Sequence, residues 1–217
     1  MNLIFDLDGT IVDIAHKYYA VYTAFIGQYH GVALMPQQYW SLRRSNASLD
    51  DILHASNLSI ISPEIFRDHT KSLIEKEAFL RLDILFHGAG EFLKNVSTRY
   101  RCCLVTMRRN PTMLEQQLRW LGIRDYFHDI LTPMLSHGNA DKRQETPKSE
   151  ALRALALKGP TIMIGDSTMD MITGRELGFT TCAVTTGMHN RQVLEKLAPD
   201  FILDKLEDVL KVIENIT

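Results

Sequence analysis

The sequence of 217 residues has few of the features that mark secreted, membrane or nucleic-acid-binding proteins. It contains three cysteines, an odd number that argues against a disulfide framework. Its net charge of −2 provides no basic excess, so we expect neither a nucleic acid nor a membrane surface as partner. Apolar runs are too short to span a bilayer, and no basic and apolar leader begins the chain. We therefore expect a cytoplasmic protein with reduced cysteines.

The composition is that of a globular protein with a substantial core. Hydrophobic residues make up 45% of the chain and charged residues 23%. A chain of this length forms one large domain, or one domain that carries an insertion.

The first thirteen residues contain an unusual pair of acidic groups. A short apolar run, Asn2 to Phe5, predicts a buried strand that ends in Asp6-Leu7-Asp8-Gly9-Thr10. Side chains alternate along a strand, so Asp6 and Asp8 share one side, where their like charges repel without a cation. The pair fits a divalent cation at the carboxyl end of a strand. Two surface aspartates that cap a turn would give the same local pattern.

A second acidic pair lies far along the chain. The apolar run Thr161 to Ile164 predicts a strand, and Gly165 then precedes Asp166 and Asp170. Asp170 lies four positions after Asp166, so both lie on one face of the first turn of a following helix. Helix capping alone would also explain such a pair, but two acidic pairs after two predicted strands favour a shared site.

A hydroxyl and a lysine complete the set of candidate residues. Thr106 ends a predicted strand, where its side chain and the next backbone N–H can hold a phosphoryl oxygen. Thr146-Pro147-Lys148 predicts an N-cap, a first-turn proline and a first-turn lysine of a helix that continues through Ala156. A cation at that position opposes the helix dipole unless an anion lies before it. Lys142 is an alternative, and we prefer Lys148 because the capping pattern places it at the helix start.

Residues 14–82 differ in pattern from the rest of the chain. Apolar residues recur there at helical spacing, and Pro36, Ser48 and Ser62 mark three helix starts. We expect four helices, with the tyrosines in their core. Arg43 and Arg44 could contact an anion, although a solvated pair is the interpretation we favour. From Asp83 onward strands alternate with helices, which predicts an α/β fold.

These motifs resemble the haloacid dehalogenase-like (HAD) superfamily. Its four motifs match Asp6-Leu7-Asp8-Gly9-Thr10, then Thr106, Lys148 and Gly165-Asp166 with Asp170. The lysine departs from the common form, in which it precedes the proline. The resemblance covers the whole chain and is strongest for the phosphoglycolate phosphatase and β-phosphoglucomutase-like branch. It implies a Rossmann-like three-layer sandwich with a parallel sheet core in residues 1–13 and 83–217, and an inserted helical C1-type cap in 14–82.

The resemblance also implies a reaction and a role for each residue. Asp6 would be the nucleophile and Asp8 the general acid and base in hydrolysis of a small phosphorylated metabolite. Mg²⁺ would bind Asp6, Asp166 and the backbone carbonyl of Asp8, with Asp170 supporting the metal site from behind. Thr106 and Lys148 would bind the phosphate.

Three other functions are compatible with such a fold. Asp8 argues against a dehalogenase, which needs no acid at that position. A phosphomutase uses the same residues and is poorly separated from a phosphatase by sequence. A binding protein without activity would be expected to have lost a carboxylate, and all four remain.

Overall fold

The computed structural model describes residues 1–133 and 145–216. The chain divides into two compact units. The first, here called the core unit, comprises Met1–Asp13 and Leu85–Thr217, and the second, the helical unit, comprises Ile14–Ile84. These boundaries lie within two residues of the expected division after residues 13 and 82. Among the described residues, no helix combines the length and the apolar character that crossing a membrane requires.

The core unit is built on a six-stranded parallel sheet. The strands in chain order are β1 (Asn2–Phe5), β2 (Val12–Asp13), β3 (Ile84–Leu85), β4 (Arg101–Val105), β5 (Asp129–Leu131), β6 (Thr161–Gly165), β7 (Thr180–Val184) and β8 (Phe201–Leu203). Six of them form the main sheet in the order β5-β4-β1-β6-β7-β8. The short strands β2 and β3 form a separate two-stranded sheet. This architecture confirms the predicted α/β, Rossmann-like fold.

The register of the central strands brings distant parts of the sequence to one edge of the sheet. Phe5 pairs with Leu104 on one side and with Ile164 on the other. All three strands are parallel, so the residues that follow them leave the sheet at the same edge. β1 and β6 are buried throughout and β4 is buried except at Arg101, which explains their largely apolar sequences.

The helical unit contains five helices. These are α1 (Ala15–Gln28), α2 (Pro36–Arg44), α3 (Leu49–Ala55), α4 (Pro63–Leu73) and α5 (Glu77–Leu80). Ser48 caps α3 in a reciprocal capping box with Asp51, and Ser62 caps α4, as their sequences predict. Tyr22 and Tyr39 stack with ring centroids 4.2 Å apart. The tyrosines therefore contribute to the core of the unit, as expected.

The helices of the core unit connect its parallel strands. They are α6 (Ala89–Ser97), α7 (Pro111–Trp120), α8 (Pro147–Arg153), α9 (Thr168–Glu176), α10 (Arg191–Glu195) and α11 (Val209–Ile216), with 3-10 turns at Arg124–Tyr126 and Leu206–Asp208. Two departures from the predicted elements stand out. The short helix α5 raises the predicted four helices of the other unit to five. Helix α8 ends at Arg153, because the chain turns through a left-handed Ala156 and packs Leu155 and Leu157 against the core.

Candidate active site

Asp6 lies at the centre of a buried ionic cluster. It follows β1 directly, and its backbone N–H donates to the carbonyl of Ile164 on the neighbouring strand at 2.9 Å. The residue is only 7% exposed. Its Oδ1 accepts a hydrogen bond from Lys148 Nζ at 2.6 Å. A carboxylate this deeply buried is stable only with such a partner.

Lys148 bridges two carboxylates. Thr146 is the N-cap of α8 and accepts from the backbone N–H of Ser149, which places Lys148 in the first turn. Its Nζ donates to Asp6 and, at 2.7 Å, to Asp170. Burial by itself lowers the pKa of this lysine, but Asp170 and Asp6 together raise it above the ordinary lysine value. Lys148 therefore remains a cation, and the anions offset its unfavourable position at the helix N-terminus.

Asp166 and Asp170 lie beside Asp6 at the start of α9. Asp170 accepts from the backbone N–H and the hydroxyl of Ser167 in a capping box. Oxygen atoms of Asp6, Asp166 and Asp170 all lie within 4.8 Å of one another, and all three residues are buried. The strand ends thus bring Asp6 of the first acidic pair together with both aspartates of the second.

The charge of this cluster favours a bound cation. Three carboxylates and the single ammonium of Lys148 leave a formal charge of −2 if all are ionised. Burial raises the pKa of Asp6 to about 7, against the lowering effect of Lys148. Burial and the neighbouring carboxylates also raise the pKa of Asp166 well above its ordinary value. A divalent cation among these oxygens would relieve the repulsion, and Mg²⁺ prefers oxygen ligands. The donor set therefore fits such an ion.

Asp8 forms an ion pair with Arg108 and is not one of the three carboxylates grouped around Lys148. Its two carboxylate oxygens accept from Nε and Nη2 of Arg108, each at 2.6 Å. The Arg108 side chain is 7% exposed and that of Asp8 23%. This fork geometry fixes both the position and the direction of the Asp8 carboxylate.

Asp166 is enclosed by backbone atoms from two loops. It accepts from the backbone N–H of Met188 at 2.6 Å and from the Thr10 hydroxyl at 3.3 Å. A Cβ at Gly9 or Gly187 would collide with its carboxylate, and Gly9 also has a φ of +86°. Only glycine fits at these two positions without displacing Asp166.

Thr106 and Lys142 complete the set of candidates. Thr106 follows β4, is 1% exposed, and donates its backbone N–H to the carbonyl of Leu131 at 3.0 Å. It leaves the sheet at the same edge as Asp6. Lys142 lies outside the described residues.

Residues 3–184 match the family described as haloacid dehalogenase-like hydrolase. The chain belongs to this family. The match begins in β1 and ends with β7, so it includes all the candidate residues and spans most of the sequence.

Individual relatives of this HAD-like hydrolase agree with that assignment. The pyrophosphatase PpaX of Bacillus cereus is 25% identical over 99% of this chain and 96% of its own length. A HAD-like family hydrolase from Streptococcus pneumoniae has a similar fold, with a TM-score of 0.74, 22% identity, and coverage of 98% of this chain and 97% of its own. A predicted phosphoglycolate phosphatase from Haemophilus somnus has a TM-score of 0.73 at 17% identity, over 97% and 96% of the two chains.

Sequence reasoning missed several neighbours of the site. The sequence pattern predicts no role for Arg108, although an arginine two residues beyond Thr106 lies near the carboxyl end of a central strand. Thr10 was identified only as part of a motif. Gly187 and Met188 follow β7, and their proximity to Asp166 depends on the strand order. Of these, Arg108 had the clearest sequence signal.

Proposed function

We propose that this HAD-like hydrolase is a Mg²⁺-dependent phosphatase that acts on a small phosphate monoester. The observation that carries the proposal is the buried cluster of Asp6, Asp166 and Asp170 around Lys148. It offers a nucleophilic carboxylate, oxygen ligands for a cation, and a fixed positive charge within a few ångströms. The named phosphatases among the relatives point to the same chemistry.

We assign the nucleophilic step to Asp6. A carboxylate oxygen of Asp6 attacks phosphorus, the bond from phosphorus to the leaving oxygen breaks, and an aspartyl-phosphate forms. Asp8 gives a proton to the leaving oxygen and then takes one from the water that cleaves the intermediate. Both oxygens of Asp8 accept from Arg108 in the described structure. We therefore propose that substrate binding rearranges this pair.

The remaining residues bind the phosphoryl group and the metal ion. Lys148 and Thr106 hold the peripheral phosphoryl oxygens, over which negative charge is spread during transfer. Asp6, Asp166 and the backbone carbonyl of Asp8 would hold Mg²⁺, and Asp170 would orient Lys148 and support the site. When bound, the ion supplies positive charge opposite the phosphoryl oxygens and offsets the repulsion between the carboxylates.

We also propose that the helical unit acts as a cap that selects the substrate and excludes water. Support comes from its place in the chain, between the first acidic pair and β4, and from its separate core. The substrate remains a small phosphorylated metabolite of unassigned identity. The cytoplasmic location and the lack of nucleic-acid or membrane partners stay predictions.

Pyrophosphate is a second candidate substrate, because the curated relatives that match almost the whole chain are named pyrophosphatases. Its hydrolysis would use the same residues, with phosphate instead of an alcohol as leaving group. A phosphomutase is the alternative reaction. It would require the aspartyl-phosphate to persist while a bound sugar phosphate reorients in the site.

A single panel of substrates tests these functions. Purified protein with Mg²⁺ is given phosphoglycolate, pyrophosphate, or β-glucose 1-phosphate with a trace of the bisphosphate, and both free phosphate and glucose 6-phosphate are measured. We expect free phosphate to dominate, to disappear with excess chelator and to return when Mg²⁺ is restored. Glucose 6-phosphate in large excess over free phosphate would instead establish a mutase. Full activity in chelator would contradict the metal-dependent mechanism.

A further inference from the structure

We propose that Thr173 and Glu176 are positioning residues that hold Lys148 in its reactive place. Together with Asp170 they form a polar stripe on α9, which receives the first turn of α8. The inference rests on the proposed function, in which Lys148 binds the phosphoryl group. It assigns a role to two residues outside the four recognised motifs.

The stripe follows from helix geometry. Asp170, Thr173 and Glu176 are spaced three residues apart, so their side chains lie along one face of α9. Asp170 and Thr173 are completely buried, and Glu176 is partly buried. Three polar groups along a buried face are costly unless each has a partner.

Each member of the stripe has a partner in the first turn of α8. Asp170 accepts from Lys148 Nζ at 2.7 Å, and the hydroxyls of Thr173 and Thr146 lie 2.7 Å apart. The Glu176 carboxylate accepts from the backbone N–H of Thr146 at 3.0 Å and from the Ser149 hydroxyl.

These contacts fix the backbone on both sides of Lys148. Thr146 lies two residues before the lysine and Ser149 one residue after it, and both are held by Glu176. The lysine side chain itself is flexible, with four methylene groups between backbone and charge. Anchoring its backbone therefore determines which oxygens Nζ can reach, namely those of Asp6 and Asp170.

The need to cap α8 does not explain the hydrogen bonds that Glu176 accepts. The Thr146 hydroxyl already caps α8 by accepting from the Ser149 backbone N–H at 3.1 Å. The carboxylate of Glu176 comes from another helix and adds two further bonds at the same turn. Since a displacement of about 1 Å can lower a rate by about a hundredfold, a tie of this kind has a direct consequence for catalysis.

A double-mutant cycle tests whether Glu176 acts through Lys148. Glu176→Ala is made in the wild type and in Lys148→Met, and affinity for orthovanadate with Mg²⁺ is measured by calorimetry beside kcat and KM. We expect Glu176→Ala to weaken vanadate binding and lower kcat/KM by about tenfold in the wild type, on the scale of a modest misplacement. In the Lys148→Met background we expect a change below about twofold, because the group being positioned is gone.

Two further variants serve as controls. Glu176→Gln keeps an oxygen acceptor, so it should restore most of the vanadate affinity. Glu150→Gln removes the same charge from an exposed position in the first turn of α8 and should leave both measurements unchanged. If Glu176→Ala does not fold, Ser149→Ala takes its place in the cycle. This substitution removes the hydrogen bond from the Ser149 hydroxyl to Glu176 and leaves the one from the Thr146 backbone.

The outcomes separate this inference from the proposed function. Equal losses in both backgrounds would overturn the inference, as would a lower unfolding temperature with vanadate affinity intact. If the wild type binds vanadate but releases phosphate from no substrate, the proposed function fails while the binding cycle still decides the role of Glu176. A wild-type protein that does not bind vanadate would overturn both.

Discussion

The core unit and the helical unit bury charge in very different ways. The core unit holds three carboxylates and one lysine at a single place, an arrangement that electrostatic repulsion makes unfavourable without a further cation. The helical unit packs a predominantly aromatic and aliphatic cluster. Its prominent buried ion pair joins Lys17 to Asp83 at 2.6 Å, with side chains 1% and 0% exposed.

The difference separates residues placed for chemistry from residues placed for stability. The Lys17–Asp83 pair is balanced in charge and joins the beginning of the helical unit to its end. The cluster around Asp6 has an excess of negative charge. Such an excess is expected where the binding of a ligand relieves repulsion that is present in the free protein. Substitutions of these buried charges should therefore affect activity in the core unit and stability in the helical unit.

The largest effect is expected from Asp6→Asn. The amide has nearly the same shape but cannot attack phosphorus, so kcat should fall by about four orders of magnitude or more. The free energy of unfolding of the metal-free protein should stay equal or rise, because a buried charge is removed. Steady-state phosphate release and thermal unfolding measure the two quantities. A folded Asp6→Asn protein with substantial turnover would refute the assignment of the nucleophile.

Lys17→Met should show the opposite behaviour. The substitution removes the buried cation that is paired with Asp83, and loss of one member of such a pair costs about 3 kcal/mol or more. Denaturant unfolding measures the loss. The double variant Lys17→Met with Asp83→Leu should recover most of it, since an apolar pair needs no compensation. Equal stability of the single and double variants would show that the pair is not the source of the effect.

Lys148→Ala tests the lysine of the core unit. Loss of one charge-stabilising donor should lower kcat by about a hundredfold. Lys142→Ala, measured in the same assay, should lower kcat only slightly. The reverse order would transfer the phosphate-binding role to Lys142.

The smallest expected effect is a pH dependence of the metal-free protein. Burial raises the pKa of Asp6 from 3.8 to about 7, so the folded state binds more protons than the unfolded state between these values. The contribution of Asp6 to stability is therefore greatest at low pH and falls as the pH rises toward 7, by on the order of 1 kcal/mol or more. Added Mg²⁺ should reverse the trend, and Asp6→Asn should weaken it. Unfolding curves of the wild type and of Asp6→Asn at several pH values test this. A difference in stability between the two proteins that does not change with pH would contradict it.

Local sequence signals predicted most elements of the fold. The capping residues Ser48, Ser62 and Thr146 begin helices at the expected positions, because capping depends on groups three residues apart. The apolar runs that became β1, β4 and β6 were also predicted, because a run of consecutive apolar residues is itself a local signal. The prediction failed where packing overrides local preference, as at the early end of α8, which the turn toward Leu155 and Leu157 imposes.

The features of the candidate site likewise fall into two groups: those that local sequence patterns predict and those that only the tertiary structure shows. By itself the sequence determined the identity of the acidic groups, their place at strand ends, and the lysine at a helix start, since each depends on a few neighbouring residues. Only the tertiary structure decided that Arg108 pairs with Asp8, that Met188 donates to Asp166, and that Glu176 holds the turn beside Lys148. Those contacts join residues that lie 22 to 100 positions apart in the sequence. Such contacts follow from strand order and helix packing, which no local spacing encodes.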